Sequence, residues 1–360
     1  MSQLFLDNPS LYSSSTGNLW WVGGTSFASG GNFTVVNTNL PPGSQSGSQV
    51  IFLTSASEGQ WAATNNFGAQ TRLIGSTLFS RTPGTNGLIF VFCTSTGIGD
   101  NPTACGVAAD NSGTYLIATE SNTVVATGPV IAGGAYHNYE LDATFSTTGT
   151  GSMTLYVDGN PTPFLSVTGI NTGQATAGIM SLGCAPGAYA SAACGGYYAN
   201  SYLFNSAGAA PWNGPLAPQG LGNAKTGFAF MNGPGVTSAW TPNGAATDWQ
   251  CTIAVPPVST PFASSGTVGQ TFFGTLTSIP GVAHIIGAQI STFAMESTTG
   301  ARAIQSGFSD GVTEAYSGTN NFLATSSVYF FDEYEINPVT GLPWAVADLP
   351  TLQMGENLTV

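Results

Sequence analysis

The sequence predicts an all-β protein, and three observations carry that expectation. Charged residues are only 6% of the chain, against about a quarter in an average globular protein. Strong helix formers such as Lys and Glu are therefore scarce, while 48 glycines and 21 prolines supply turns. Short apolar segments recur along the chain with an alternating pattern, separated by Gly, Pro and Asn. Hydrophobic residues make up 42% of the 360 positions, enough to build real cores, and the length has room for two domains.

The clearest element pair lies at 137–158. In HNYELDATF, Tyr139, Leu141, Ala143 and Phe145 alternate with Asn138, Glu140, Asp142 and Thr144, the period-two signature of a strand with one buried face. STTGTG then reads as a turn. SMTLYVDG places Met153, Leu155 and Val157 on one face of a second strand, and Asp158-Gly159 is a tight-turn dipeptide. Further strands are expected at 49–55, 87–95, 113–121, 177–183 and 197–205, a spacing that suits a two-sheet sandwich. At 206–225, SAGAAPWNGPLAPQGLGNAK breaks the pattern and marks a connector. The expected domains are thus residues 1–205, a connector over 206–225, and a smaller β domain over 226–360. In that second domain strands are expected at 226–233, 247–255, 270–276, 283–296 and 326–336. The last puts Val328, Phe330, Tyr334 and Ile336 on one face, with Asp332 the exception.

Charge excludes some functions. Four basic residues (Arg72, Arg81, Lys225 and Arg302) stand against seventeen acids, a net charge of −13. Phosphate recognition needs clustered Lys and Arg, so nucleic acid is not an expected partner, and an anionic membrane surface would repel the chain. No apolar run is long enough for a transmembrane helix, and MSQLFLDNPSLYSS lacks the basic and apolar regions of a secretory leader. The five cysteines contain no CxxC. Cys93/Cys105 and Cys184/Cys194 each bracket a loop and are read as thiols or as disulfides formed after release.

Candidate chemistry is sparse. Glu140 and Asp142 share one face of one strand, the arrangement in which a glycosidase places paired carboxylates; Thr144 stands where a third acid would fall, and the expectation is a solvent-facing strand edge. Asp7, Asp142 and Asp158 are the candidate calcium ligands, but no loop concentrates three acids. No catalytic, cofactor-binding or metal residue is therefore assigned, and no cofactor is expected beyond that calcium option. Aromatic rings with a few polar neighbours could meet a sugar or a neighbouring protein; Trp212 and Trp240 are named for this, with Glu333 and Glu335 of the acidic run DEYE. The closing stretch EINPVTGLPWAVADLPTLQMG is read as a structural clasp. Pro338 and Gly341 shape a turn, Trp344 anchors one turn of helix limited by Pro350, and Gly355 releases the chain into a final edge strand.

YHNYELDATFSTTGTGSMTLYVDG, with LFLDNPSLYSS and LWWVGG before it and YYANSYLFNSAG after it, resembles the central hairpin and flanking strands of concanavalin A-like or laminin-G-like jelly-roll domains, over roughly residues 1–205. TSAWTPNGAATDWQC and the closing stretch resemble the second domain of tailed-bacteriophage virion proteins. Ala199 and Asn200 depart from that pattern, where acids are expected. The resemblance implies a non-enzymatic structural protein of a virion made in the host cytoplasm, a decoration, spike or tail-fibre component on capsid, neck or tail. Its implied partners are other virion proteins and further copies of itself, as a trimer. A lectin-like protein recognising a host-surface glycan is the alternative reading, and a glycan-cleaving enzyme the third.

Overall fold

The computed structural model describes residues 3–6, 34–39, 41, 50–53, 61–64, 66–94, 103–118, 123–183, 195–205, 229–252, 260–279, 282, 285–297 and 300–360. The chain is nearly all β and divides into two compact units, Met1–Thr226 and Gly227–Val360. The connector expected at 206–225, with Trp212 and Lys225, lies outside the described residues, as do Asp7, Cys184 and Cys194.

The first unit is an antiparallel sandwich. One sheet runs Leu165–Ile170, Gly151–Val157, Tyr136–Thr144, Arg72–Arg81, Gly196–Asn205, Val50–Leu53 and Thr34–Val36, and Gln3–Leu6 also pairs with Gly196–Asn205. The other runs Trp61–Ala63, Ile179–Gly183, Gly87–Cys93, Thr103–Ala109, Thr114–Ala118 and Thr123–Gly128. The alternation read at 137–158 decides which side faces inward. Leu73, Tyr139, Leu141, Ala143, Met153, Leu155 and Leu203 are buried with Phe90, Phe92, Val107 and Leu116 of the opposite sheet. Asp158 and Gly159 both take positive φ, 55° and 67°, the conformation that an Asp-Gly hairpin turn demands.

Cys93 and Cys105 are free thiols. Cys105 belongs to the central core, and Cys93 to a second apolar cluster with Leu88, Val91, Ala108, Ile117 and Ile179. They sit on adjacent strands but face opposite sides of the sheet, which rules out the disulfide option for this pair. Burial pushes the Cys93 thiol up to about 12 and Cys105 well above its usual range.

The second unit has one larger sheet, ordered Met231–Ser238, Thr271–Leu276, Gln353–Leu358, Ala303–Ser309 and Glu314–Tyr316, with Asn321–Phe322 also on Ala303–Ser309. Two strand pairs, Thr241–Asn243 with Phe262–Ser264 and Ala288–Ala294 with Val328–Tyr334, complete it. Three expectations are corrected. The apolar stretch at 247–255 gives a 3-10 helix at Trp249–Thr252 rather than a strand. Asp248 accepts from Ser238 Oγ (2.8 Å) and from the Trp249 amide (2.8 Å) and so holds the turn. The closing strand is central rather than an edge, paired on both sides. Gly355 is needed there for close packing: a Cβ would lie 2.0 Å from the Phe272 carbonyl oxygen and 2.7 Å from Phe273 Cγ. Finally, Asp332 is buried while Ile336 is 41% exposed, because the strand ends at Tyr334.

Trp344 is buried beside Phe308, Tyr334, Ile290 and Leu352. Its ring meets Phe308 edge-on at 5.2 Å, and its indole N–H donates to the Tyr334 carbonyl (2.9 Å). The turn before it closes through Gly341 N–H to Asn337 O (2.8 Å), with Gly341 at φ 69° and Pro338 within the loop. Asn337 and Asp348 were not singled out from sequence. Asn337 Nδ2 donates to Asp348 Oδ2 (3.0 Å), which also accepts from the Ala345 amide (3.0 Å), tying the turn to the 3-10 helix Val346–Thr351.

Candidate functional site

The side of the larger first-unit sheet that faces away from the core carries two tyrosines, a glutamate and an Arg–Asp pair on neighbouring strands. Pairing lays them out in rows. Across one row stand Tyr202, Ser76, Glu140 and Tyr156 on four neighbouring strands. The next row holds Phe204, Ile74, Asp142, Thr154 and Ser166, and beyond it lie Arg72, Thr144, Ser152 and Thr168.

Strict alternation along Gly196–Asn205 would place Tyr202 with Tyr198, on the core side. A bulge prevents this: Ala199 pairs with Leu78 and Tyr202 with Ser76, so Asn200 and Ser201 together oppose Thr77. Asn200 sits at φ 49°, a left-handed conformation that Asn tolerates better than most residues. Ser201 then turns inward and donates to Thr77 Oγ1 (3.0 Å), and Tyr202 swings to the outer face.

There the Tyr202 hydroxyl donates to Glu140 Oε2. Both residues are buried, at 2% and 1% exposure, which corrects the expected solvent-facing edge: Tyr136–Thr144 is an interior strand. Burial, and then the adjacent Glu140 charge, hold the Tyr202 phenol well above its ordinary range, so it remains a neutral donor. Ser76 Oγ donates to Asn138 Oδ1 (3.2 Å) alongside.

Asp142 is largely buried, its side chain 17% exposed, and gripped by Arg72 through two bonds, Nε to Oδ1 at 2.8 Å and Nη2 to Oδ2 at 2.6 Å. That hydrogen bonding raises the Arg72 pKa further. Tyr156 is kept protonated by burial and by the charges of Asp142 and Glu140. The rim is made of hydroxyls, with Thr154 Oγ1 and Ser166 Oγ 3.2 Å apart and Ser166 and Thr168 exposed. The face therefore combines a buried phenol–carboxyl pair that can hold and pass a proton, an adjacent neutralised ion pair, and a hydroxyl-rich edge.

The other sequence candidates lie elsewhere. Asp158 is engaged by His137 Nδ1 (2.7 Å) and the Asn138 amide (2.9 Å), so Asp142 and Asp158 are each committed to another partner. No group of three or more His, Cys, Asp or Glu suited to a metal occurs among the described residues. Trp240 donates its indole N–H to Gln270 O (2.9 Å) and packs on Phe272. Glu333 pairs across from Gln289 in the Ala288–Ala294 strand pair, and Glu335 follows that strand.

No family model and no curated protein matches the chain. Solved structures do. An endo-β-1,4-glucuronan lyase from Trichoderma reesei is similar at 12% identity and TM-score 0.39, over 57% of this chain and 96% of the lyase. An alginate lyase from Chlorella virus is similar at 8% identity and TM-score 0.34, over 45% and 87%. A Trypanosoma rangeli sialidase is similar at 13% and 0.28, over 44% of this chain and only 27% of its own. These neighbours are glycan-cleaving enzymes, and they correct the expectation of a non-enzymatic virion structural protein. None of the three scores carries a substrate or a reaction over to this chain.

Proposed function

We propose that the first unit is a glycan-cleaving domain that works through the outer face of its larger sheet. The observation that supports this reading is the Tyr202–Glu140 pair. Burying a carboxylate is costly, and here it is buried with a phenol that donates to it, beside Ser76, Asn138 and Tyr156. Cleaving a glycosidic linkage requires a group that takes up or delivers a proton at the reacting centre. Glu140 is placed to exchange that proton, with Tyr202 fixing its orientation and sharing its charge. Ile74 and Phe204 are buried in the next row beside them.

The test is incubation of the protein with a panel of neutral and acidic polysaccharides. New reducing ends report hydrolysis, and unsaturated sugar ends report elimination. Activity that disappears in Glu140→Gln and in Tyr202→Phe, with both variants folded, is the expected result. Absence of new chain ends from every polysaccharide, or activity unchanged in both variants, overturns the reading.

A further inference from the structure

We infer that Asp142 is a specificity-determining residue that closes Arg72 to ligands and fits the Glu140 face to a neutral glycan, excluding polyuronates. The inference rests on the functional reading above and names its substrate class. A polyuronate carries a carboxylate on every sugar, and a site that accepts one must offer it a cation or an equivalent set of donors. Among the described residues of this unit Arg72 is the basic residue on this face, and Asp142 already occupies the guanidinium with the two-pronged geometry that a ligand carboxylate would use. An incoming uronate would have to displace Asp142 and then sit between it and Glu140. The rest of the chain strengthens that repulsion, at −13 net charge with four basic residues in all. Arg81 is buried, bonded to the carbonyls of Thr85 and Ile131, and so is committed elsewhere.

What the accessible flank does offer is neutral. Thr144, Ser152, Thr154, Ser166 and Thr168 present hydroxyls along three strands. Hydroxyls that both donate and accept suit the hydroxyls of an uncharged sugar. Neutral glycan and hydroxyl rim can exchange hydrogen bonds without an unpaired charge on either side.

The experiment compares the wild-type chain with Asp142→Asn on alginate oligosaccharides and on neutral oligosaccharides from β-glucan and xylan, reading binding by calorimetry and cleavage by new chain ends. The wild type is expected to act on at least one neutral glycan and to leave alginate alone. Asp142→Asn frees Arg72 and is expected to gain alginate binding by about tenfold or more, the scale of one charge-assisted contact, in a manner that salt suppresses. Adding Arg72→Gln to that variant should abolish the gain; a thermal melt of each variant confirms folding. Preference of the wild type for alginate overturns this inference and leaves the functional reading standing. A folded Asp142→Asn without any gain also overturns it. Inactivity of the wild type on every glycan removes the functional reading itself, and the inference with it.

Discussion

Each unit buries a glutamate in an interior strand, and the two are satisfied differently. Glu140 lies on the outer face of its sheet, bonded to a phenol, one row from a partly buried ion pair. Glu356 lies among the buried side chains of the second unit. Thr292 Oγ1 donates to its Oε1 (2.5 Å), while Oε2 is buried with no hydrogen-bond partner among the described residues. Asp332 contributes a second negative charge to that interior, itself accepting from Asn321 Nδ2 (2.8 Å). Burial, with Asp332 adding to it, pushes Glu356 up to about 8. A carboxyl with a dedicated donor at a face is equipped for chemistry, whereas an under-partnered one in a core is a source of pH-dependent instability.

The comparison presumes that each unit melts on its own, and Trp344→Ala is the strongest way to break it. Removing a buried Trp costs about 3–5 kcal/mol, a large part of a typical domain's ~5–15 kcal/mol. Calorimetry should show an early transition for 227–360 with the first unit unchanged. A single transition shifted as a whole would join the two units into one cooperative block.

The pH response of Glu356 sharpens the contrast. Its folded value stands above the ordinary 4.5, so between about 4.5 and about 8 the native state holds a proton that the unfolded state has lost. Stability of the second unit is therefore greatest at the acidic end of that window and falls as pH rises through it. Asp332, Tyr334 and Tyr316 are the titratable neighbours coupled to this charge, with the Thr292 hydroxyl as its donor. Glu356→Gln should flatten the melting temperature of that unit across the window. A slope that persists in the variant assigns the effect to another group.

Tyr202→Phe probes the first unit by the same logic. It strips one donor from a buried carboxylate, an expected loss of about 1–3 kcal/mol, seen as a lower midpoint in denaturant with unchanged slope. A smaller effect follows for Asn200→Val. A β-branched side chain at φ 49° costs about 1–2 kcal/mol, whereas Asn200→Gly should be nearly neutral. If Asn200→Val costs nothing, the bulge is not what holds Tyr202 on the outer face.

Several features needed no structure to be read. Period-two alternation at 137–158 fixed the two faces of the central hairpin, because in a strand neighbouring side chains must point to opposite sides. Asp158-Gly159 announced its turn, and the aromatic Trp344 its burial. Net charge set the expectation against phosphate partners. What alternation cannot report is a register change. One extra residue at Asn200 inverts every later side chain of its strand, and only the pairing with Thr77 reveals it. Hence Tyr202 was invisible as a partner of Glu140, sixty-two positions away in sequence. The same limit hid the central position of Gln353–Leu358, since a short closing strand reads alike whether one neighbour or two will bond to it. It also hid the opposed faces of Cys93 and Cys105. Local periodicity sets which way a side chain points; which other segment waits there is decided by long-range pairing, and that is a property of the folded sheet.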